Sequence, residues 1–277
     1  KDYFTNYQFM NTNTIKIVEN NLNDETNFDE ILKNQDVVYH LVSSVMPSTS
    51  NFNISKEISE NVNFTFKLLE SCVKNNIKKV VFISSGGTIY GKNVICPISE
   101  ECPTNPITTY GIQKDIIEKL LYLYYYQFGL DYKVVRLANP YGPYQRPNGK
   151  LGVVTTFTYK ALNDEEISVY GDGSVVRDFI FIDDAVKGII NIANSESDTK
   201  IYNLGSGYGT SIKEVLIILN EILKKDVKVK FLEERSVDVP INYLDITRYE
   251  NEFGQLNPLN LQKGIEKTIE FMKNNHL

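Results

Sequence analysis

Only three of the 277 residues are cysteine and two are histidine. Cys72, Cys96 and Cys102 are too few and too unevenly spaced for a disulfide framework. His40 and His276 lie too far from them in sequence to complete a zinc site, so reduced thiols and no structural metal are expected. Positive charge is also scarce: 29 Lys and Arg against 35 Asp and Glu give a formal net charge of −6. With a sequence pI near 5.2, that balance argues against a broad electrostatic footprint for nucleic acid or an anionic membrane surface. An anionic substrate would have to be met by local Arg or Lys. No run approaches the ~18 apolar residues of a membrane span, and no basic segment followed by an apolar one opens the chain, so the default compartment is the cytoplasm. An initiator Met is missing too. The chain opens on Lys1 and a polar stretch, and it reads as the middle of a longer protein.

What is present is an ordinary globular composition, 42% hydrophobic, 23% charged and 12% aromatic, in a chain long enough to bury a large core. Short apolar runs alternate with longer amphipathic segments, the βαβ pattern of a parallel sheet covered by helices. Residues 15–18, 37–42, 79–84 and 133–137 are β-branched, bounded by polar or turn residues, and expected to be central strands. Segments 57–75 and 110–128 carry apolar residues at helical spacing and are expected to be long helices. The second contains Leu120 to Tyr126, apolar or aromatic nearly all round, which suits burial on the sheet and against a second surface. After about Tyr144 the character changes, with helices expected at 153–162, 184–193 and 211–224 and short strands near Ile167 and Ile201. This divides the chain into residues 1–144 and a smaller lobe, 145–277, with some segments returning to the sheet. The glycines of Gly205 to Ser211 read as a turn into a helix capped near Ser211, since the run lacks the acidic residue that follows a dinucleotide loop.

Tyr110-Gly-Ile-Gln-Lys114 sets a phenol and an ammonium one helical turn apart on the same face. A phenol with a pKa near ~10 is a poor base at neutral pH, but a neighbouring ammonium favours the phenolate and makes Tyr110 a credible proton acceptor. In a Lys-rich chain with 18 tyrosines that spacing also arises by chance. The surroundings add weight. Val80 to Gly91 is an apolar strand ending in hydroxyls and glycines, where the carboxyl end of a sheet meets a ligand crevice, so Ser85 and Thr88 can face a substrate hydroxyl. Arg136-Leu-Ala-Asn-Pro-Tyr-Gly-Pro143 follows another strand, and Arg177-Asp-Phe-Ile180 and Arg235-Ser-Val-Asp-Val-Pro240 come further on.

In that order these blocks resemble the extended short-chain dehydrogenase/reductase family, and within it the NAD-dependent epimerases and dehydratases like UDP-glucose 4-epimerase. The resemblance implies a Rossmann-like doubly wound parallel sheet with a smaller α/β substrate lobe. It implies NAD as cofactor, with Tyr110 as catalytic base and Lys114 as the residue that holds the nicotinamide ribose and tunes the tyrosine. It places Leu41, Val42 and Ser43, together with Asn61, Ser84 and Ala138, beside the cofactor. Asn139, Arg177 and Arg235 fall where the nucleotide diphosphate of a UDP-sugar is held, and Asp238 counts among the other substrate-binding residues. Asn242 falls near the wall that contacts the sugar, with room for an N-acetyl group. Helices 57–75 and 110–128 match the pair that joins two subunits into a homodimer.

Two departures stand out. Many epimerases carry a hydroxyl residue where this chain has Gly86, so Thr88 or Ser85 must replace it. The Asp-Glu pair of the 4,6-dehydratases is Gly87-Thr88 here, which disfavours dehydration. The second departure is larger. The family's opening strand, Gly-rich loop and acidic ribose ligand are not found before Ile15. Truncation and a degenerate copy both account for this; a true loss would leave NAD poorly bound and the sheet without a central strand. The expectation is epimerisation at C4 of a UDP-hexose. Another nucleotide-sugar reaction, namely dehydration, decarboxylation or reduction, and an inactive nucleotide-sugar-binding homologue are the alternatives.

Overall fold

A computed structural model describes residues 15–18, 26–43, 53–147, 152–235 and 239–275. The elements are α1 (Phe28–Ile31), β1 (Val37–His40), α2 (Ile54–Lys74), β2 (Lys79–Ser85), α3 (Thr109–Phe128), β3 (Asp131–Leu137) and β4 (Asn139–Tyr141). They continue with α4 (Val153–Leu162), β5 (Ile167–Tyr170), β6 (Val176–Arg177), β7 (Phe179–Phe181), α5 (Ile182–Asn194), β8 (Ile201–Leu204) and β9 (Thr210–Ser211). The last are α6 (Ile212–Leu223), β10 (Val229–Leu232), β11 (Ile241–Asn242), α7 (Thr247–Phe253) and α8 (Leu261–Asn274).

The principal sheet is parallel throughout, in the order β1-β2-β3-β8. Central strands of a parallel sheet are covered on both faces, and β2 and β3 are accordingly almost continuous runs of buried residues. On one face α2 and α3 pack Leu69, Leu121, Val80, Phe82 and Val134 into one core; on the other α5 and α7 join Val81, Val135, Tyr202 and Leu204. Leu69, Val80, Phe82 and Val134 are wholly buried, each contributing about 1.5–3 kcal/mol relative to exposure. A third core, around Val154, Ile167, Phe181, Val215 and Ile265, belongs to the lobe of α4, α6 and α8.

Local signals set the ends of the long helices. Asn53 accepts from the Lys56 N–H to start α2, and Thr108 accepts from the Gly111 N–H to start α3, whose last turn closes on Gly129 at φ 71°. The expected cap at Ser211 is present as a full capping box with Glu214. One expected strand is absent: residues 15–18 form no strand and are exposed. Their apolar run has no described neighbour to accept its backbone hydrogen bonds, and a strand needs one. The fourth strand of the sheet is β8, from the second half of the chain. The strand expected over 37–42 stops at His40, so Leu41, Val42 and Ser43 lie beyond its carboxyl end. No helix among the described residues is long and apolar enough to cross a membrane.

Candidate active site

The carboxyl ends of β1, β2, β3 and β8 release the segments 41–43, 86–91, Ala138 and 205–209 on one side of the sheet, where ligands of open parallel sheets bind. Helix α3 delivers its first turn to the same place. A Cβ on Gly111 would stand 2.9 Å from the Thr88 carbonyl oxygen and 2.8 Å from Pro106 Cβ, so only glycine lets α3 lie this close to the loop after β2.

Lys114 is buried, and its ammonium donates to the Ile83 carbonyl at 2.7 Å, 4.6 Å from the centre of the Phe82 ring and 5.5 Å from that of Tyr110. Burial lowers the amine to about 8, partly offset by the Glu118 carboxylate. His40 is pushed down to about 3, first by burial and then by the Lys114 charge, and so is neutral at ordinary pH. Tyr110 goes the other way: burial raises its phenol to about 12. Desolvation thus favours the neutral phenol of Tyr110 in the protein alone, while the Lys114 ammonium is bonded to the Ile83 carbonyl near the end of β2.

Among the described residues, the Thr88 hydroxyl is one of four buried side-chain polar atoms without a hydrogen-bond partner. A buried hydroxyl left unpaired costs free energy, and a ligand oxygen would relieve it. Ser85, the last residue of β2, is partly exposed just before this loop. At Gly86, where a hydroxyl residue is expected from the family pattern, an added Cβ would fall 2.5 Å from Leu244 Cδ1; at Gly87 the nearest atom would be Ser85 Oγ, at 3.9 Å. Leu244 occupies the space such a side chain needs. Asn242, expected at the sugar-facing wall, is buried behind this loop and donates to the Gly86 carbonyl at 3.2 Å.

Other expected site residues are placed as follows. Leu41 and Val42 are 63% and 47% exposed just beyond β1, apolar surface at the crevice mouth. Asn61 is buried on α2 and donates to the Glu57 carbonyl at 3.0 Å. Ala138 follows β3 and donates its N–H to Leu204 O. Asn139 is bound through its backbone and side-chain N–H groups to the Asp178 carbonyl, at 3.0 and 2.9 Å. Arg177 donates to Val176 O and Val239 O, at 2.8 and 2.6 Å, tying β6 to the segment before β11. Arg235 is exposed with its guanidinium 4.2 Å from the centre of the Tyr170 ring. Asp238 lies outside the described residues.

Ser84 departs from expectation. Its side chain is buried and donates to Glu118 Oε1 at 2.5 Å, away from the crevice. It belongs to a group that sequence reasoning missed. Ser84, Arg136 and Asn203 share one rung of the sheet, and Glu118 reaches this rung from α3. Arg136 grips both Glu118 oxygens, Nε to Oε1 at 3.2 Å and Nη2 to Oε2 at 2.7 Å, and donates to the Tyr90 hydroxyl at 3.0 Å. Tyr90 in turn donates to Asn203 Oδ1 at 2.6 Å. The available signals were an arginine inside an apolar strand and a glutamate one turn after Lys114.

Comparison with known proteins places this geometry in context. The sequence model of the NAD dependent epimerase/dehydratase family matches residues 4–205. The chain is 32% identical over 260 residues to a putative UDP-glucose 4-epimerase of Methanocaldococcus jannaschii, covering 94% of this chain and 83% of that protein. It is 33% identical over 238 residues to a dTDP-4-dehydro-6-deoxyglucose reductase of Escherichia coli, covering 85% and 74%. Among solved structures, the UDP-glucose 4-epimerase of Thermotoga maritima with UDP-glucose superposes with a TM-score of 0.89 at 32% identity, over 98% of this chain and 88% of that one.

Proposed function

This chain belongs to the NAD-dependent epimerase/dehydratase family, and from that premise we propose that it inverts C4 of a UDP-hexose through a 4-keto intermediate. NAD is the cofactor of the family, and the described residues fit its nicotinamide end. The Lys114 ammonium has three N–H donors, of which one goes to Ile83 O, leaving donors for ribose hydroxyls. Leu41, Val42, Ser43, Asn61 and Ala138 would flank the ring and its ribose. Bound there, the cofactor would supply a reversible store for the hydride of the sugar C4.

The protein's part is proton transfer and grip. Tyr110 takes the proton from the sugar 4-hydroxyl as the hydride leaves, and gives it back when the hydride returns, so there is no net oxidation. The phenol is held neutral by burial, and the Lys114 ammonium one turn along α3 would favour its ionisation. Thr88 donates to the reacting oxygen, with Ser85 beside it. Arg177, Arg235 and Asn139 hold the nucleotide diphosphate away from the reacting carbon, so the sugar can turn while the nucleotide stays bound. The observation that carries this reading is the pairing of Tyr110 and Lys114 on the first turns of α3, with the unpartnered Thr88 hydroxyl on the loop that packs against Gly111 between them. The test is an assay with UDP-glucose and UDP-galactose and with their N-acetylated forms. Interconversion without change in nicotinamide absorbance supports it. A net consumption of reduced cofactor would replace it with a reductase, and loss of water or carbon dioxide with a dehydratase or decarboxylase.

The same reading includes a homodimer through α2 and α3. Ile112, Tyr122, Leu123 and Tyr126 form an exposed stripe on α3, Tyr126 being 78% exposed, and Phe66 lies exposed on the adjoining α2. A second copy of the same pair would cover them. Light scattering should give twice the chain mass, and Leu123→Asp with Tyr126→Asp should halve it; a monomeric wild type ends the proposal.

A further inference from the structure

Tyr110, Lys114 and Glu118 follow one another at single-turn spacing along one face of α3. The first two carry the chemistry in the reading above, on which this inference rests; the third has no part in it. Glu118 is 3% exposed, yet every contact it makes is specific: the Ser84 hydroxyl and Arg136 Nε on one oxygen, Arg136 Nη2 on the other. Arg136 is itself 3% exposed and tied onward to Tyr90 and to the Glu100 carbonyl. Exchanging such a buried pair for apolar residues is often neutral or stabilising. Stability alone is therefore a weak reason for the pair to be here, directly below the candidate site.

We propose that Glu118, oriented by Arg136 and Ser84 one turn from Lys114 on the same face of α3, is a positioning residue that keeps Lys114, itself bonded to Ile83 O, in the ammonium form that Tyr110 requires. The geometry supports this from each side. Two strands converge on the carboxylate, through Ser84 of β2 and Arg136 of β3, so its position is fixed to the same sheet that supplies Ile83 O to Lys114. The Glu118 charge is also what offsets the burial of Lys114, which otherwise favours the free amine. The other titratable groups around this face are His40 on β1, neutral, Tyr90 after β2, Tyr132 and Arg136 on β3, and Glu100 near Tyr90. On the buried face of α2 the one titratable residue is Cys72, whose thiol burial raises to about 12. None of these but Glu118 supplies negative charge to Lys114.

The test is the titration of Lys114 in the full chain, without sugar, followed through its ε-carbon by NMR and assigned by loss of the signal in Lys114→Gln. In the wild type the midpoint should lie near 8. Glu118→Gln should move it to lower pH by on the order of one unit. Mere loosening of the helix would move it the other way, toward an ordinary lysine, so the direction separates positioning from structural support. Glu118→Gln with Arg136→Met exchanges the buried pair for a neutral one and carries the test if the single variant does not fold; the same acid shift is expected. A midpoint that stays in place or rises in the folded variants overturns the proposal. Because no substrate is involved, the result stands apart from the epimerase assay: a failed epimerase reading leaves the titration to be judged by itself.

Discussion

Arg136 lies near the end of β3 and Arg235 just beyond the end of β10, and they do opposite things. Arg136 sits inside the principal sheet, with both Glu118 oxygens, Tyr90 and a carbonyl as partners. Arg235 stands at the surface of the lobe over the ring of Tyr170. The region around α3 is a place where charge is buried, shared and shifted; at Arg235 in the lobe charge is kept near solvent. Proton transfer requires pKa values moved from their ordinary range, which only burial and fixed partners provide. Gripping a diphosphate requires an available cation, and a buried, fully paired arginine is not one.

The comparison can be broken most sharply at the two arginines. Arg136→Ala leaves Glu118 as an unpaired buried charge and should cost about 3–5 kcal/mol of stability, measured by urea unfolding. Arg235→Ala should leave unfolding unchanged and raise KM for the UDP-sugar on the order of tenfold or more. Equal effects on stability would erase the distinction. Tyr110→Phe should lower kcat by about 10³-fold with the melting temperature and NAD content retained; substantial residual epimerisation would move the base elsewhere.

Lys114→Met sharpens the contrast through pH. The amine is near 8 in the folded chain against 10.5 when exposed, so the unfolded chain binds more protons between those values and wild-type stability should rise with pH across that window. Below about pH 8 the cost of the buried ammonium is present in full. At pH 7 Lys114→Met should therefore unfold later, by on the order of 3 kcal/mol, and the advantage should disappear by pH 10.5. Unchanged unfolding at both pH values would show that the lysine is not desolvated. The smallest expected effect is at Gly86. Gly86→Ser sets a Cβ against Leu244 and should cost about 1–3 kcal/mol, and Leu244→Ala in the same chain should return part of it.

Much of the sheet was legible from the chain itself. β2 and β3 are short β-branched runs, α2 and α3 have helical spacing, and Tyr110 and Lys114 declare themselves because one helical turn fixes their common face. The same periodicity put a strand at residues 15–18, where the structure has none. Periodicity records which residues prefer an extended chain, but not whether a neighbouring strand is there to pair with it.

The sequence by itself determined the parallel α/β architecture, the long helices, the cap at Ser211, and the Tyr110 and Lys114 pair, because these depend on residues a few positions apart. Tertiary structure decided the rest. That Leu244 fills the space above Gly86, that Ser84 turns to Glu118, and that Arg136 and Asn203 share a rung follow from strand register and helix docking. It also decided the charge states, since the depth at which Tyr110, Lys114 and His40 are buried belongs to the packed core and to no local stretch of chain.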